Sequence, residues 1–517
     1  MMHGRLAVAA LALAATAWTP SPATATDAAY NERYRPLYHF TPAKNFMNDP
    51  NGLVFADGRY HLFYQHNPFG DTWGHMSWGH AVSPDLVRWT HKPVALAEEG
   101  DTMVWSGSAV VDRDNTSGLC TEGKPGGCLV AVYTSRIPAE QTQSLAFSND
   151  GGETWTKYQG NPVLDIDMKD FRDPKVFWHE PTKRWVMVVV KAAEYKVAIY
   201  GSPDLRSWTH LSDFGPAGVR GVTWECPDLF ELPVAGRPGE TRWVMKVDFN
   251  PGSVQGGSGG QYFLGSFDGA TFTNENPPTK TNWVDYGKDF YASQSWSDVP
   301  ASDGRRIWIG WLSNWQYTSV APTSPWRGAQ SVPRSVALRD IPGQGIRLIQ
   351  EPVAELATLR EGHVRLEGMD LDAANRALAE RGVRGTALEI DAVLEPGTAT
   401  EVGLSVRRGA RGEETLVGYD APRALLSVDR TASGDVAFHP GFPGEHAAPL
   451  PLTDGRVRLR ILVDASSVEV FGGAGEAVVT DAIFPAPESD GVRLYAKNGT
   501  ARVVSLDVWR MRSAWAD

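Results

Sequence analysis

The chain has 517 residues, more than one ordinary core accommodates, and its 42% apolar and 21% charged residues exclude global disorder. A net charge of −12 with no basic stripe excludes a polyanionic partner such as nucleic acid, so a neutral partner is expected. Nineteen tryptophans is a large number; about two thirds are expected to fill cores, and a flat apolar face with an N–H at its edge suits the rest to stacking on sugar rings.

In chain order, Met1 to Arg5 gives a positive start and Leu6 to Trp18 an apolar run too short to span a bilayer comfortably. Ala23-Thr24-Ala25 fits a cleavage site, so residues 1–25 read as a signal peptide. No later stretch reaches about 18 unbroken apolar residues. The mature chain is therefore expected to be secreted, free of the membrane and monomeric.

A repeat then organises the first two thirds. Ser83-Pro84-Asp85-Leu86-Val87-Arg88-Trp89-Thr90 returns as Ser202-Pro203-Asp204-Leu205-Arg206-Ser207-Trp208-Thr209, with looser copies from Ser148 and Ser266. Each copy joins two strand-like runs through a polar turn, and a second hairpin lies upstream. A fifth unit lacks the signature: Phe290 to Trp296 turns at Asp303-Gly304 into Ile307 to Leu312. Few helix signals and five four-strand units predict an all-β, five-bladed β-propeller over 36–340, since an open array of hairpins would expose unpaired edges. Pro342-Gly343-Gln344-Gly345 opens a predicted linker, 341–362. A short amphipathic helix over Asp370 to Arg381 and alternating strands then predict a C-terminal β-sandwich over 363–517.

Three acids stand out in this register. Asp49-Pro50, Asp173-Pro174 and Glu225-Cys226-Pro227 each precede the first strand of a unit. In a propeller those strands line the axis, so equivalent positions face one another. Three carboxylates in one pocket repel, which keeps at least one protonated near neutral pH and separates an acid from a base. Arg172 is expected to favour the charged form of Asp173. Any one Asp-Pro alone is more simply a turn; three in matching places are not.

Other clusters carry less. Asp165, Asp167 and Asp170 lack the spacing of a calcium loop. His75, His80 and His91 lack metal spacing, and Gly256 to Gly260 lacks the lysine of a phosphate loop, so no metal and no cofactor are expected. Cys120 and Cys128 flank a Gly-rich stretch, and an export compartment would allow them to pair, although sequence does not show the geometry.

At these residues the sequence resembles glycoside hydrolase family 32, the invertase, inulinase and levanase group. Phe46-Met47-Asn48-Asp49-Pro50-Asn51-Gly52 is similar to its sucrase signature, with Phe where Trp is commoner. Phe171-Arg172-Asp173-Pro174 and Trp224-Glu225-Cys226-Pro227-Asp228 are similar to its RDP and EC motifs. Tyr64 to Pro68, Trp73 to His80, Trp105 to Ser108, Asp285 to Ala292 and Gly310 to Trp315 also match, as does Ser466 to Phe471 in the second domain. The resemblance implies Asp49 as nucleophile, Glu225 as acid and base, and Asp173 as transition-state stabiliser. It implies Asn48, Gln65, Trp73, Trp105, Ser106, Arg172 and Trp315 as the lining of the terminal fructose subsite. It also implies that Cys226 tunes its acidic neighbour and stays reduced, consistent with pairing of Cys120 and Cys128. The implied activity is retaining hydrolysis of levan, inulin or sucrose from the chain end, with the segment Ser313 to Tyr317 favouring the levanase and exo-inulinase branch. A fructosyltransferase, a levanbiose-releasing hydrolase, an inverting arabinan- or xylan-cleaving propeller and a non-catalytic fructan lectin are the alternatives.

Overall fold

The computed structural model describes residues 30–123 and 126–515; the predicted signal peptide lies outside them. Antiparallel four-strand units follow one another. The first comprises Asn45–Ala56, Arg59–Asn67, Ser77–Ser83 and Thr90–Leu96. The second runs Met103–Asp112, Cys128–Ile137, Glu140–Ser148 and Thr156–Lys157. The third runs Phe171–His179, Arg184–Lys191, Lys196–Ser202 and Thr209–Phe214. The fourth begins with Thr223–Ala235, Thr241–Asn250 and Gly259–Phe267. Its first strand is joined to the fifth unit by two parallel pairs, Val234↔Leu338 and Ala235↔Arg339, so the two units form one ten-stranded sheet. The innermost strands touch in a closed ring: Asn45–Ala56, Met103–Asp112, Phe171–His179, Thr223–Ala235, Tyr291–Ser295 and back to Asn45–Ala56. This is a β-propeller, and its closure removes the edge problem an open array would have.

The Ser-x-Asp repeat has a clear local cause. Asp85 Oδ1 accepts the Val87 and Arg88 amides at 3.1 and 2.8 Å, and Asp204 Oδ1 accepts those of Arg206 and Ser207 at 3.0 and 2.8 Å. The following indole closes the turn, with Trp89 Nε1 on Leu86 O at 3.1 Å and Trp208 Nε1 on Leu205 O at 2.9 Å. The carboxylate thus satisfies backbone donors that a tight turn would otherwise orphan.

The predicted linker over 341–362 is corrected. Gly345–Pro352 is a full strand paired with Arg334–Ile341, and the Pro-Gly-Gln-Gly segment is its hairpin turn, with Gln344 N on Ile341 O at 2.9 Å. Glycines at φ +76° and +75° make the turn, which from sequence looks the same as a boundary.

Beyond it, two sheets pack face to face. One has the order Arg360–Asp370, Arg502–Met511, Leu388–Glu395, Val457–Asp464, Ser467–Gly472, Ala477–Ala482. The other has Glu445–Pro449, Leu425–Asp429, Thr415–Asp420, Glu401–Arg408, Gly491–Lys497. Leu388, Ile390 and Leu394 meet Leu404, Val417 and Leu426 between them, all fully buried, which defines a β-sandwich. The predicted helix is Leu371–Glu380, capped by Asp370, whose carboxylate accepts the Ala373 amide at 2.7 Å.

Propeller and sandwich share a buried ionic seam. Segment 285–289 lies against strand Ala477–Ala482: Tyr286 N bonds Val478 O, Asp289 N bonds Thr480 O, and the carboxylates of Asp285 and Asp289 accept the Thr480 and Ala482 amides. Gly287 is required there, because a Cβ would stand 2.2 Å from Thr480 N and O. Arg334 reaches Asp285 at 3.0 Å and Glu469 at 2.5 Å, and Arg430 reaches Asp289 at 2.5 Å. His39 bridges Asp464 and Glu469, each at 2.8 Å. Burial disfavours its imidazolium, but the two carboxylates outweigh that and push the His39 pKa up to about 9.

Candidate active site

The inner strands carry the same irregularity at the same height. Against their neighbours, Met47 and Pro50 face His66 and Tyr64, and Val104 and Gly107 face Ser135 and Tyr133. Arg172 and Lys175 face Val190 and Val188, Glu225 and Asp228 face Asp248 and Lys246, and Tyr291 and Gln294 face Trp311 and Ile309. Each is a β-bulge, two residues opposing one, which bends the strand and re-aims side chains. Asp173, Cys226 and Ala292 take the first bulge position at φ 63°, 48° and 53°.

This register corrects the expectation that the acids occupy equivalent places before the first strands. They lie inside those strands, at three successive register positions around equivalent bulges. Glu225 precedes its bulge, with Arg172 and Tyr291 in the same place in their units. Asp173 is the first residue of its bulge, matching Asn48, Trp105 and Cys226. Asp49 is the second of its own, matching Ser106.

The bulges bring the acids together around Cys226. Its thiol lies 3.5 Å from Asp49 Oδ2 and 3.6 Å from Asp173 Oδ2, and its backbone amide donates to Asp173 Oδ2 at 2.9 Å. Cys226 is free and buried, while a disulfide joins Cys120 to Cys128. Asp49 is held by neutral donors: Ser106 Oγ on Oδ2 at 2.6 Å and Asn48 Nδ2 on Oδ1 at 2.9 Å. Glu225, half-buried, has different company. Arg172 Nε and Nη2 donate to its Oε1, both at 3.2 Å, and the Tyr291 hydroxyl donates to Oε2.

Burial raises Asp49, opposed by the Ser106 hydrogen bond and reinforced by the Glu225 charge. Burial pushes Asp173 up to about 7; the Arg172 guanidinium pulls it down, and the charges of Glu225 and Asp49 push it further up. The expected effect of Arg172 on Asp173 thus has the right sign but loses to burial, because its hydrogen bonds go to Glu225, Gln141 and Asp170 instead. The Cys226 thiol is held well above its ordinary range by burial and by Asp173 and Asp49, so it keeps its proton and donates hydrogen bonds to those carboxyls.

The remaining sequence candidates divide. Trp73, 44% exposed, stands edge-on to half-buried Trp105 with ring centres 6.0 Å apart. Arg172 lies against the same indole. Trp315 packs on Trp311 at 4.8 Å and on Phe46 at 6.4 Å. Gln65 is buried, and its amide nitrogen is committed to Val104 O at 3.1 Å and Asn51 Oδ1 at 3.5 Å, which leaves it holding the second bulge. Of the acidic loop, Asp170 turns to Arg172, while exposed Asp165 and Asp167 gather with half-buried Glu140.

Two groups escape sequence reasoning. Tyr291 sits in the register place of Glu225 and Arg172, which becomes visible once the bulge is known. Buried Lys246 donates to Cys226 O at 2.9 Å, to Ser293 O and to Asp248, tying two neighbouring bulges together. Burial raises Asp248 to about 7 against the pull of that ammonium.

Comparison with known proteins agrees with this geometry. Residues 39–352 match the glycosyl hydrolases family 32 N-terminal domain and 355–510 the family 32 C-terminal domain. The chain is 52% identical over 500 residues to a levanase of Bacillus subtilis (strain 168), covering 95% of this chain and 73% of that protein. It is 41% identical over 522 residues to an extracellular exo-inulinase of Aspergillus awamori, covering 94% and 96%. The crystal structure of the Aspergillus awamori exo-inulinase superposes with a TM-score of 0.87 at 39% identity, covering 94% of this chain and 100% of that one. A β-fructofuranosidase of Schwanniomyces occidentalis complexed with fructosyl-erythritol does so at 0.85 and 32%, covering 95% and 100%. Matched along both of its domains, the chain belongs to glycosyl hydrolases family 32.

Proposed function

We propose that the protein is a secreted, retaining β-fructofuranosidase that hydrolyses fructans, levan or inulin, from the chain end. The observation that carries this reading is that the strand bulges gather three carboxyls at one hub: Asp49 and Asp173 both touch the Cys226 thiol, and Glu225 is the residue next to it in the chain. A group of carboxyls in one pocket is what an acid–nucleophile pair needs.

In this mechanism Asp49, oriented by Ser106 and Asn48, attacks the anomeric carbon of the terminal fructose. Glu225, fixed by Arg172 and Tyr291, protonates the departing glycosidic oxygen. An ester between Asp49 and the fructosyl unit forms. Water then enters, Glu225 takes its proton, and the hydroxide regenerates the Asp49 carboxylate with net retention. Asp173, poised near neutral pH, exchanges hydrogen bonds with the fructose hydroxyls. Trp73, Trp105 and Trp315 supply apolar faces for the sugar. Names of relatives that include "extracellular" and the N-terminal signal pattern support export; no helix among the described residues is long and apolar enough to cross a membrane.

The test is purified enzyme on levan, inulin and sucrose, with early products resolved by chromatography and the configuration of nascent fructose read by NMR. Fructose released with retained configuration is expected, and an Asp49→Asn variant should lose turnover by several orders of magnitude. Inverted product, or undiminished release by that variant, would refute the mechanism.

A further inference from the structure

The propeller has a second cavity, of about 510 Å³, which contains none of the three acids. The inner strands lead to it. From the bulge, Ser106 runs on to Val110, Asp173 to Phe177 and Glu225 to Leu229, and these later residues line the cavity. Four residues at about 3.3 Å each put it roughly 13 Å further along the strands, at the opposite mouth of the ring.

Its walls combine aromatic faces with groups of both charges. Trp178, Trp185 and Trp243 stand with Phe177 and Phe230. Trp178 and Trp243 are half-buried, so part of each indole faces the opening. Arg306 and Lys175 alternate with Asp228, Asp298 and Glu231, which gives neither an anion nor a cation a one-signed site.

Deep in the wall, Asp228 is fully buried. Its Oδ2 accepts the Ser295 amide at 2.8 Å, but Oδ1 has no partner. A buried carboxylate oxygen without a donor is costly, and it marks a place where an outside hydroxyl would bind. Lys175 lies 3.8 Å from Oδ2, but its ammonium is committed to Ser295 O.

We propose that this far mouth is a second, non-catalytic binding site for a neutral oligosaccharide. A sugar ring stacks on Trp178 or Trp243, and the wall over Asp228 gives way so that a hydroxyl donates to its otherwise unpartnered Oδ1. The volume suits one or two sugar rings and falls within the usual span of small-molecule sites. That the sugar is a fructan rests on the proposed activity; that the site takes a neutral sugar does not. Such a site would hold one part of a polymer while the hub works on an end.

The test is calorimetric titration of the Asp49→Asn protein with an inulin-type fructo-oligosaccharide, together with a crystal soak of the same protein. Two binding events are expected. The weaker should fall at least tenfold in affinity in the Trp178→Ala/Trp243→Ala background while the tighter stays unchanged. The soak should place a ring against Trp178 or Trp243, and this readout does not depend on how well the double variant folds. A single-site isotherm with a sugar-free far mouth overturns the proposal, as does a weak event that survives both substitutions. Loss of the tight event with the far site still occupied would count against the proposed hydrolysis and leave this site standing.

Discussion

Ser106 makes a 2.6 Å hydrogen bond to Asp49, and that bond favours the ionised carboxyl. Removing it in Ser106→Ala raises the Asp49 pKa further. The acid limb of kcat/KM against pH should therefore move to higher pH, as steady-state rates across the acid range will show. The Tyr291 hydroxyl donates to Glu225 Oε2. A hydrogen bond of this kind contributes about 1.5 kcal/mol, so Tyr291→Phe should lower kcat roughly 10-fold with a smaller change in KM. Asp173 permits a stability test. Burial raises its pKa to about 7 in the folded chain, so the native state holds a proton that the unfolded chain releases near 4. Stability then falls as pH rises from about 4 to about 7. Asp173→Asn cannot titrate, and its melting temperature should fall less steeply over that window than the parent's. That Asp49, Asp173 and Glu225 gather at one place was legible because their motifs are short and chemically specific. Tyr291 was not, because its part depends on strand register and not on a neighbouring residue type.

The strand bulge is the element that assembles the site. The Asp-Pro dipeptides suggest that Asp49 and Asp173 are equivalent, yet pairing puts them one residue apart, and proline marks the bulge in different ways. A one-residue shift is invisible to a repeat read by eye, because strand alternation hides it until partners are known. The hairpin at Pro342 was misread for a related reason: a Gly-rich turn and a Gly-rich boundary have the same composition. The helix Leu371–Glu380 was found because its cap and periodicity are local signals. The short strand Thr415–Asp420 is not legible in the sequence, since Gly418 interrupts the pattern where a Cβ would strike the Tyr495 hydroxyl at 2.5 Å. Lys246 is tested at this scale. Lys246→Met leaves Cys226 O and Ser293 O without their shared donor, so the bulges bearing Glu225 and Tyr291 should loosen. A drop in kcat larger than any rise in KM, with partial rescue by Lys246→Arg, is the expected kinetic result.

Across the whole molecule, the seam between propeller and sandwich is ionic and buried. His39 has its pKa raised to about 9 by Asp464 and Glu469, so its stabilisation is complete below about 6.5 and lost as pH climbs through about 9. The parent's melting temperature should fall over that alkaline range. His39→Gln should start lower, because it leaves two buried acids with one partner fewer, and should vary less with pH. Gly287→Ala should lower the melting temperature as well, since the new methyl meets Thr480 backbone atoms at 2.2 Å with no flexible side chain to yield.

The same seam reaches the chemistry. Strap 285–289 is gripped by the strand Ala477–Ala482, and the strand that begins at Tyr291 follows immediately. The C-terminal module therefore sets where one phenol stands at the hub, although among the described residues it adds no group of its own there. A chimera carrying a cousin's C-terminal half would keep every hub residue and still turn over at a different speed, because the tether of that phenol would have been re-tensioned from outside.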